Sequence, residues 1–197
     1  MMELVRFWML LMLCGFYTTY AVKMLMLKAQ GIQGNLLGKG NKPEGARVVE
    51  LLLNLCASIG TIIQFASALL THPSKNPAAY MSGLSLSFAG LIFFSISVVT
   101  MRDNWRAGFD EKQKTRLVTR GIYQISRNPA FVGFDLVYIG CAMVFPFWLN
   151  IAAAIASLFL FHVQIKGEEQ YLSKTFGEAY AAYKARVMRY IGRRAAR

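Results

Sequence analysis

Charged side chains are scarce in this chain, 16% of 197 residues against 55% hydrophobic ones. That shortage excludes an ordinary soluble domain, where charge makes up about a quarter of the residues, and the length excludes several domains. Acidic residues are rarer still, ten against 22 Lys and Arg, for a formal net charge of +12. In a chain this apolar, a basic surplus marks cytoplasmic loops rather than a nucleic-acid partner. The three cysteines, Cys14, Cys56 and Cys141, each lie in a hydrophobic stretch and form no CxxC pair. Neither a disulfide framework nor a metal knuckle is indicated, and the two isolated histidines, His72 and His162, add no metal site. No Ser-His-Asp or Cys-His arrangement is present, and no GxGxxG follows a strand, so hydrolase and soluble dinucleotide-fold readings fall away.

What the chain does have is long apolar runs. Crossing the ~30 Å hydrocarbon core takes about 20 helical residues, and runs of that length occur near residues 4–27, 48–70 and 79–101. The first has only Arg6 before it and no small-residue cleavage pattern, so a retained transmembrane helix is expected rather than a removed signal peptide. Residues 130–165 form a longer apolar stretch broken near Pro146 to Asn150, which predicts two somewhat short helices in a hairpin. The expected architecture is all-α, a polytopic transmembrane bundle of about five spans in one membrane domain, 1–197. Loop charge sets its orientation: Arg102 to Asn128 carries seven basic residues and the tail from Lys166 carries eight. Both belong in the cytoplasm, which puts the N-terminus outside and the C-terminus inside.

The connector Gly31 to Gly45 is glycine-rich but lacks phosphate-loop spacing, and Gly40 stands where a Ser or Thr is required. It reads as a flexible cytoplasmic loop able to cover a site. Beyond Glu168, the residues Leu172, Phe176, Tyr180, Tyr183 and Val187 recur at helical spacing. They predict an amphipathic tail helix, lying on the membrane or closing over the bundle's mouth, followed by a basic end at Arg193, Arg194 and Arg197 suited to membrane lipid headgroups.

Chemistry concentrates where a polar connector meets an apolar span. In Ser126-Arg-Asn-Pro129, Asn128 fits a helix N-cap and Pro129 the first helical position. The free N–H groups of such a helix start, with Arg127 beside them, suit a carboxylate or phosphate. Gly121 permits a tight turn, and Gly133 permits close packing or approach of a ligand. Glu168 and Glu169 sit at the cytoplasmic end of the last span, against the positive-inside pattern, and at least one should point inward. Asp135 and His162 are ionisable residues within spans and therefore functional candidates, each equally able to be merely hydrated or paired.

Three ordered pieces, Leu117 to Tyr123, Ser126 to Gly133 and Gly167 to Tyr183, resemble the isoprenylcysteine carboxyl methyltransferase and phospholipid methyltransferase superfamily. There a G-x-Y, an R-H-P-x-Y-x-G and an E-E before F-G-x-x-Y-x-x-Y occur in the same order. The resemblance covers the half from Trp105 onward, and implies a cofactor-binding half at 102–197 behind three N-terminal spans in 1–101. It implies S-adenosylmethionine as methyl donor, entering from the cytoplasm, and a lipophilic small-molecule or lipid-modified acceptor from the bilayer. By carry-over, Gly121, Ile122, Tyr123, Arg127, Asn128, Pro129, Gly133, Glu168, Glu169, Tyr180 and Tyr183 shape or hold the cofactor, and Arg186 joins the closing helix. Arg127, Glu168 and Glu169 are the candidates for a catalytic role. Two positions depart from the pattern: Asn128 replaces the His and Phe131 replaces the Tyr. Asn can bind but cannot relay a proton, and Phe removes one polar contact. Alternatives are a phospholipid amine N-methyltransferase, an NADPH-dependent sterol-type reductase, which would favour an R-D-E-x-x-C stretch where this chain has Lys166-Gly-Glu-Glu-Gln-Tyr, and a membrane scaffold.

Overall fold

The computed structural model describes residues 2–110 and 116–194; Lys112 and Lys114 of the basic connector, and Arg197 of the basic end, lie outside the described residues. The apolar runs form helices α1 (Met2–Ala29), α2 (Glu44–Leu70), α3 (Pro77–Met101), α4 (Pro129–Val144) and α5 (Trp148–Arg186), and no strand occurs among the described residues. Helix starts follow local chemistry. Pro43 precedes α2, and Asn76 caps α3 by accepting from the Ala78 amide at 3.0 Å with Pro77 at the first position. The break expected near Pro146 is the α4–α5 turn, tied by Asn150 Nδ2 donating to the Phe145 carbonyl at 3.1 Å.

Four helices are long and apolar enough to cross a membrane, and α4, at 16 residues, is shorter. Its length of about 24 Å is supported by close contact with α3. A Cβ on Gly133 would stand 2.8 Å from the Gly90 carbonyl, and one on Gly140 would stand 2.4 Å from that of Gly83. Small residues let the two backbones touch, which is how helices associate where lipid offers no hydrophobic gain. Large apolar side chains such as Leu4, Phe7, Leu55, Ile62, Ile155 and Phe159 are exposed on the outer faces, as lipid contact requires. Inside, Met9, Met12, Leu13, Phe16, Phe94 and Phe145 are fully buried and fill the bundle.

The C-terminal region corrects two expectations. The second helix of the hairpin is long, not short: α5 runs unbroken from Trp148 to Phe176, about 44 Å of rise, and so leaves the ~30 Å core as one rod. No separate tail helix begins at Glu168. The rod instead breaks at Gly177, where φ 49° and ψ −123° suit a residue without a Cβ. The turn beyond it folds back so that Tyr180, Tyr183 and Val187 pack on Leu117, Leu172 and Phe176. Of the two placements open to the tail, it closes over the bundle.

Candidate functional site

Beneath that closure lies a cavity of about 330 Å³. Its roof is built from the motif residues. Gly121, at φ 58°, opens a 3-10 turn (Gly121–Gln124) that brings Tyr123 inward, where its hydroxyl shares a 2.8 Å hydrogen bond with Ser97. Burial pushes the Tyr123 phenol above its ordinary value, so it stays a neutral donor. Tyr183 Oη donates to the Tyr123 carbonyl at 2.6 Å and fastens the closing turn to this loop.

The two adjacent glutamates have different surroundings. Glu169, 5% exposed, accepts from Arg127 Nη2 at 2.8 Å, from Asn128 Nδ2 at 3.2 Å and from Arg189 Nε and Nη2 at 3.1 and 2.9 Å. That hydrogen bonding holds the Arg189 guanidinium above its usual range. Glu168 instead lines the cavity, with Oε1 accepting from Gln164 Nε2 at 3.0 Å. Arg127 also lines the cavity and is 8% exposed, yet its Nε and Nη1 have no partner, and neither does the buried Tyr180 hydroxyl. Buried donors without acceptors are costly, and these atoms are enclosed by protein beside the cavity.

Asn128 takes the N-cap position of α4, as the sequence predicts, but its side chain makes no capping hydrogen bond. Its amide donates to Glu169 and to the Arg189 carbonyl at 3.1 Å, while Pro129 does take the first helical position. Among the residues expected to hold a cofactor, Tyr123, Arg127, Asn128, Pro129, Glu168, Tyr180 and Tyr183 line the cavity. Gly121, Ile122, Gly133 and Glu169 do not; the structure places Gly133 against α3 and Glu169 in the ion cluster behind the cavity wall. Asp135 and His162 also stand off the cavity, His162 Nδ1 sharing a 2.5 Å hydrogen bond with Tyr190 Oη. Arg193, expected to face headgroups, donates to the Gln124 carbonyl and side chain at 3.0 and 2.9 Å.

Several contributors escaped sequence reasoning. The glycine-rich connector is a fixed cover rather than a loose loop. Leu36 N–H donates to the Ala107 carbonyl at 2.8 Å, Gly38 N–H to Glu50 Oε2 at 2.8 Å, and Lys42 pairs with the same carboxylate. Glu50 is wholly buried near the start of α2 and also accepts from Gln164 Nε2 at 3.1 Å. A lone acid in a span was the available signal. Phe109 and Tyr171, ring centroids 5.0 Å apart and nearly parallel, add an aromatic wall. Arg106 lines the cavity with a buried, unpartnered Nε. Deeper, Phe131, Phe134 and Phe161 face a stripe of α2. No cluster of three or more His, Cys, Asp or Glu suited to a metal occurs among the described residues.

Such a polytopic helical bundle, with apolar side chains on its outer faces, is the architecture of an integral membrane protein, and it encloses a cavity that is polar at its roof and apolar below. Residues 75–179, just over half of the chain, match the family model described as phospholipid methyltransferase, and the chain belongs to that family. It is 26% identical over 136 residues to Protein-S-isoprenylcysteine O-methyltransferase B of Arabidopsis thaliana, covering 66% of this chain and 69% of that protein. It is 26% identical over 158 residues to Protein-S-isoprenylcysteine O-methyltransferase of Xenopus laevis, covering 75% of this chain and 54% of that one. Against the same-named protein of Dictyostelium discoideum the identity is 31% over 101 residues, 50% of this chain and 43% of the relative. The chain thus spans about half the length of the latter two. The resemblance carried by the three ordered motifs is borne out at the level of family.

Proposed function

We propose that this protein is an integral membrane methyltransferase that moves a methyl group from S-adenosylmethionine to a carboxylate on a lipophilic acceptor. The observation that carries this reading is that motif residues from three separate stretches of the chain, Tyr123, Arg127, Asn128, Glu168, Tyr180 and Tyr183, converge on one cavity. They fit the two ends of the donor. Arg127 would take its carboxylate, Glu168 would accept from its ammonium or ribose hydroxyls, and Phe109 with Tyr171 would flank a flat ring. Bound there, the donor supplies a sulfonium-activated methyl that an acceptor carboxylate takes with no proton to remove, leaving S-adenosylhomocysteine and an ester.

The chain's own residues then have defined tasks. The closing turn and the connector 34–42 keep water out, which strengthens every charge inside. Arg106, on the cavity wall, adds a second cation for the acceptor carboxylate. Asn128, where the resemblance has His, ties the roof instead of moving a proton, and Phe131, where it has Tyr, joins the apolar wall. The division into N-terminal spans (1–101) and a cofactor half (102–197) is kept with one addition: Leu36, Leu37 and α2 also face the cavity. Loop charge assigns the cavity mouth to the cytoplasm, with the N-terminus outside.

A second reading, methyl transfer to a phospholipid amine, draws support from the same Glu168, which could accept the amine's proton. Calorimetry with S-adenosylhomocysteine on detergent-purified protein tests the donor. Micromolar binding that Glu168→Ala weakens by tenfold or more supports it, and binding of NADPH in its place sinks it. Labelled methyl transfer to N-acetyl-S-farnesylcysteine against phosphatidylethanolamine then separates the two acceptors.

A further inference from the structure

Below the roof the cavity follows α2 through Leu53, Asn54, Ala57, Ser58 and Thr61. The rise along α2 from Leu53 to Thr61 makes this groove about 12 Å deep, and its opposite wall is Phe131, Phe134 and Phe161. Apolar walls of this kind take hydrocarbon, but the closed end is different. There Tyr17 and Thr61 meet, and Tyr17 Oη donates to Gln64 Oε1 at 2.6 Å. Gln64 is 1% exposed and its Nε2 has no partner. Tyr138 closes the side: a Cβ on Gly60 would stand 2.5 Å from the Tyr138 hydroxyl. The Tyr17 ring is pinned by Phe16 and Phe65, at centroid distances of 5.4 and 5.9 Å. Beyond it lie Met12, Leu13 and Phe16, which leave no exposed surface.

We infer that Tyr17 and Thr61, braced from behind by Gln64, form a floor that sets the length of hydrocarbon the acceptor can carry into the bundle. This rests on the acceptor reading proposed above. The floor is rigid because the Tyr17–Gln64 hydrogen bond crosses from α1 to α2 behind it, and it is polar because the hydroxyl-bearing Tyr17 and Thr61 line the cavity there. A short chain ends above it. A longer one must displace Tyr17 or lie against polar groups that then lose access to water, and both are unfavourable. Discrimination by one isoprene unit in such a pocket is worth about tenfold or more.

The test uses the full chain in detergent with labelled S-adenosylmethionine and three probes: the N-acetyl cysteine thioethers of geranyl, farnesyl and geranylgeranyl. Falling kcat/KM with length, by about tenfold per isoprene unit and so about a hundredfold between the first and last, is expected. Tyr17→Ala should move the preference to a longer chain, and Ala57→Leu, which raises the floor by a turn, to a shorter one. S-adenosylhomocysteine affinity stays unchanged in both variants and so reports that each is folded. Equal rates on all three probes, unmoved by either substitution, overturn the floor and mean the tail leaves sideways between α1 and α2. No transfer to any probe while S-adenosylhomocysteine still binds overturns the acceptor reading itself, and the floor with it.

Discussion

Two buried carboxylates stand on either side of the cavity roof, and they do the same job with different partners. Glu50 gathers Lys42, the Gly38 amide and Gln164, fixing the N-terminal connector. Glu169 gathers Arg127, Asn128 and Arg189, fixing the start of α4 and the C-terminal strap. The difference lies in where the cations can go. Lys42 is buried but has a second acceptor in the Leu36 carbonyl at 3.0 Å and lies over the Phe109 ring, whereas Arg127 is held at the mouth of a helix with its Nε and Nη1 unpartnered. The comparison teaches that a carboxylate's cost of removal depends on what it strands.

Glu169→Ala should therefore have the largest effect. It leaves Arg127 buried without any ion partner, a loss of about 3–5 kcal/mol, read as a lower unfolding midpoint in detergent. Pairing it with Arg127→Met should recover part of that loss, since the stranded charge is gone. Additive losses in the double variant would show that the two residues act independently and would break the comparison.

Glu50→Gln should cost less, about 2 kcal/mol, because charged hydrogen bonds are weakened while Lys42 keeps the Leu36 carbonyl and the amide oxygen of the new side chain as acceptors. Its signature is local. Amide exchange should speed up across 34–42, most at Gly38, and remain slow at Arg127 and Gly192, whose amides donate to the Met188 and Ile125 carbonyls at 3.1 and 2.7 Å. Exchange rising equally on both sides would mean that the roof is one cooperative unit.

The two carboxylates also differ in how visible they were in the sequence. Glu169 announced itself as half of an acidic pair set against the basic pattern, inside an ordered motif. Glu50 stands alone at the start of a span, and its partners come from 12 residues before, Gly38, and 114 residues after, Gln164. No local spacing encodes that meeting. The spans, the hairpin break and the Arg127-Pro129 entry were legible because hydropathy and helix-start chemistry are local properties. Which glutamate faces the cavity was not, since one helical step of 100° separates Glu168 from Glu169 and only the strap's Arg189 decides between them. The same holds for Gly177: a glycine in an amphipathic pattern does not say that the helix folds back there. Asn128 misled because the side chain that fits a cap is equally suited to a longer reach when a carboxylate stands opposite.

Gln164 bridges the two sides, donating to Glu50 at 3.1 Å and to Glu168 at 3.0 Å. Gln164→Leu should lower S-adenosylhomocysteine affinity about tenfold, the equivalent of one charge-assisted hydrogen bond, and lower the unfolding midpoint by the equivalent of about 1–3 kcal/mol, because Glu50 and Glu168 both lose a buried donor. An unchanged affinity would show that Glu168 is oriented by the ligand alone.

The smallest effect tests whether the strap side depends on its tyrosine as the connector side depends on Lys42. Tyr183→Phe keeps the ring packed on Tyr180 and Val187 and removes only the hydroxyl that donates to the Tyr123 carbonyl. A single neutral hydrogen bond is worth about 1 kcal/mol, so the midpoint should fall slightly and the closing turn beyond Gly177 should exchange faster. Because Glu169 still holds Arg189 in that variant, the strap itself should stay protected. If it opens together with the turn, the tyrosine rather than the ion cluster is what keeps the roof closed.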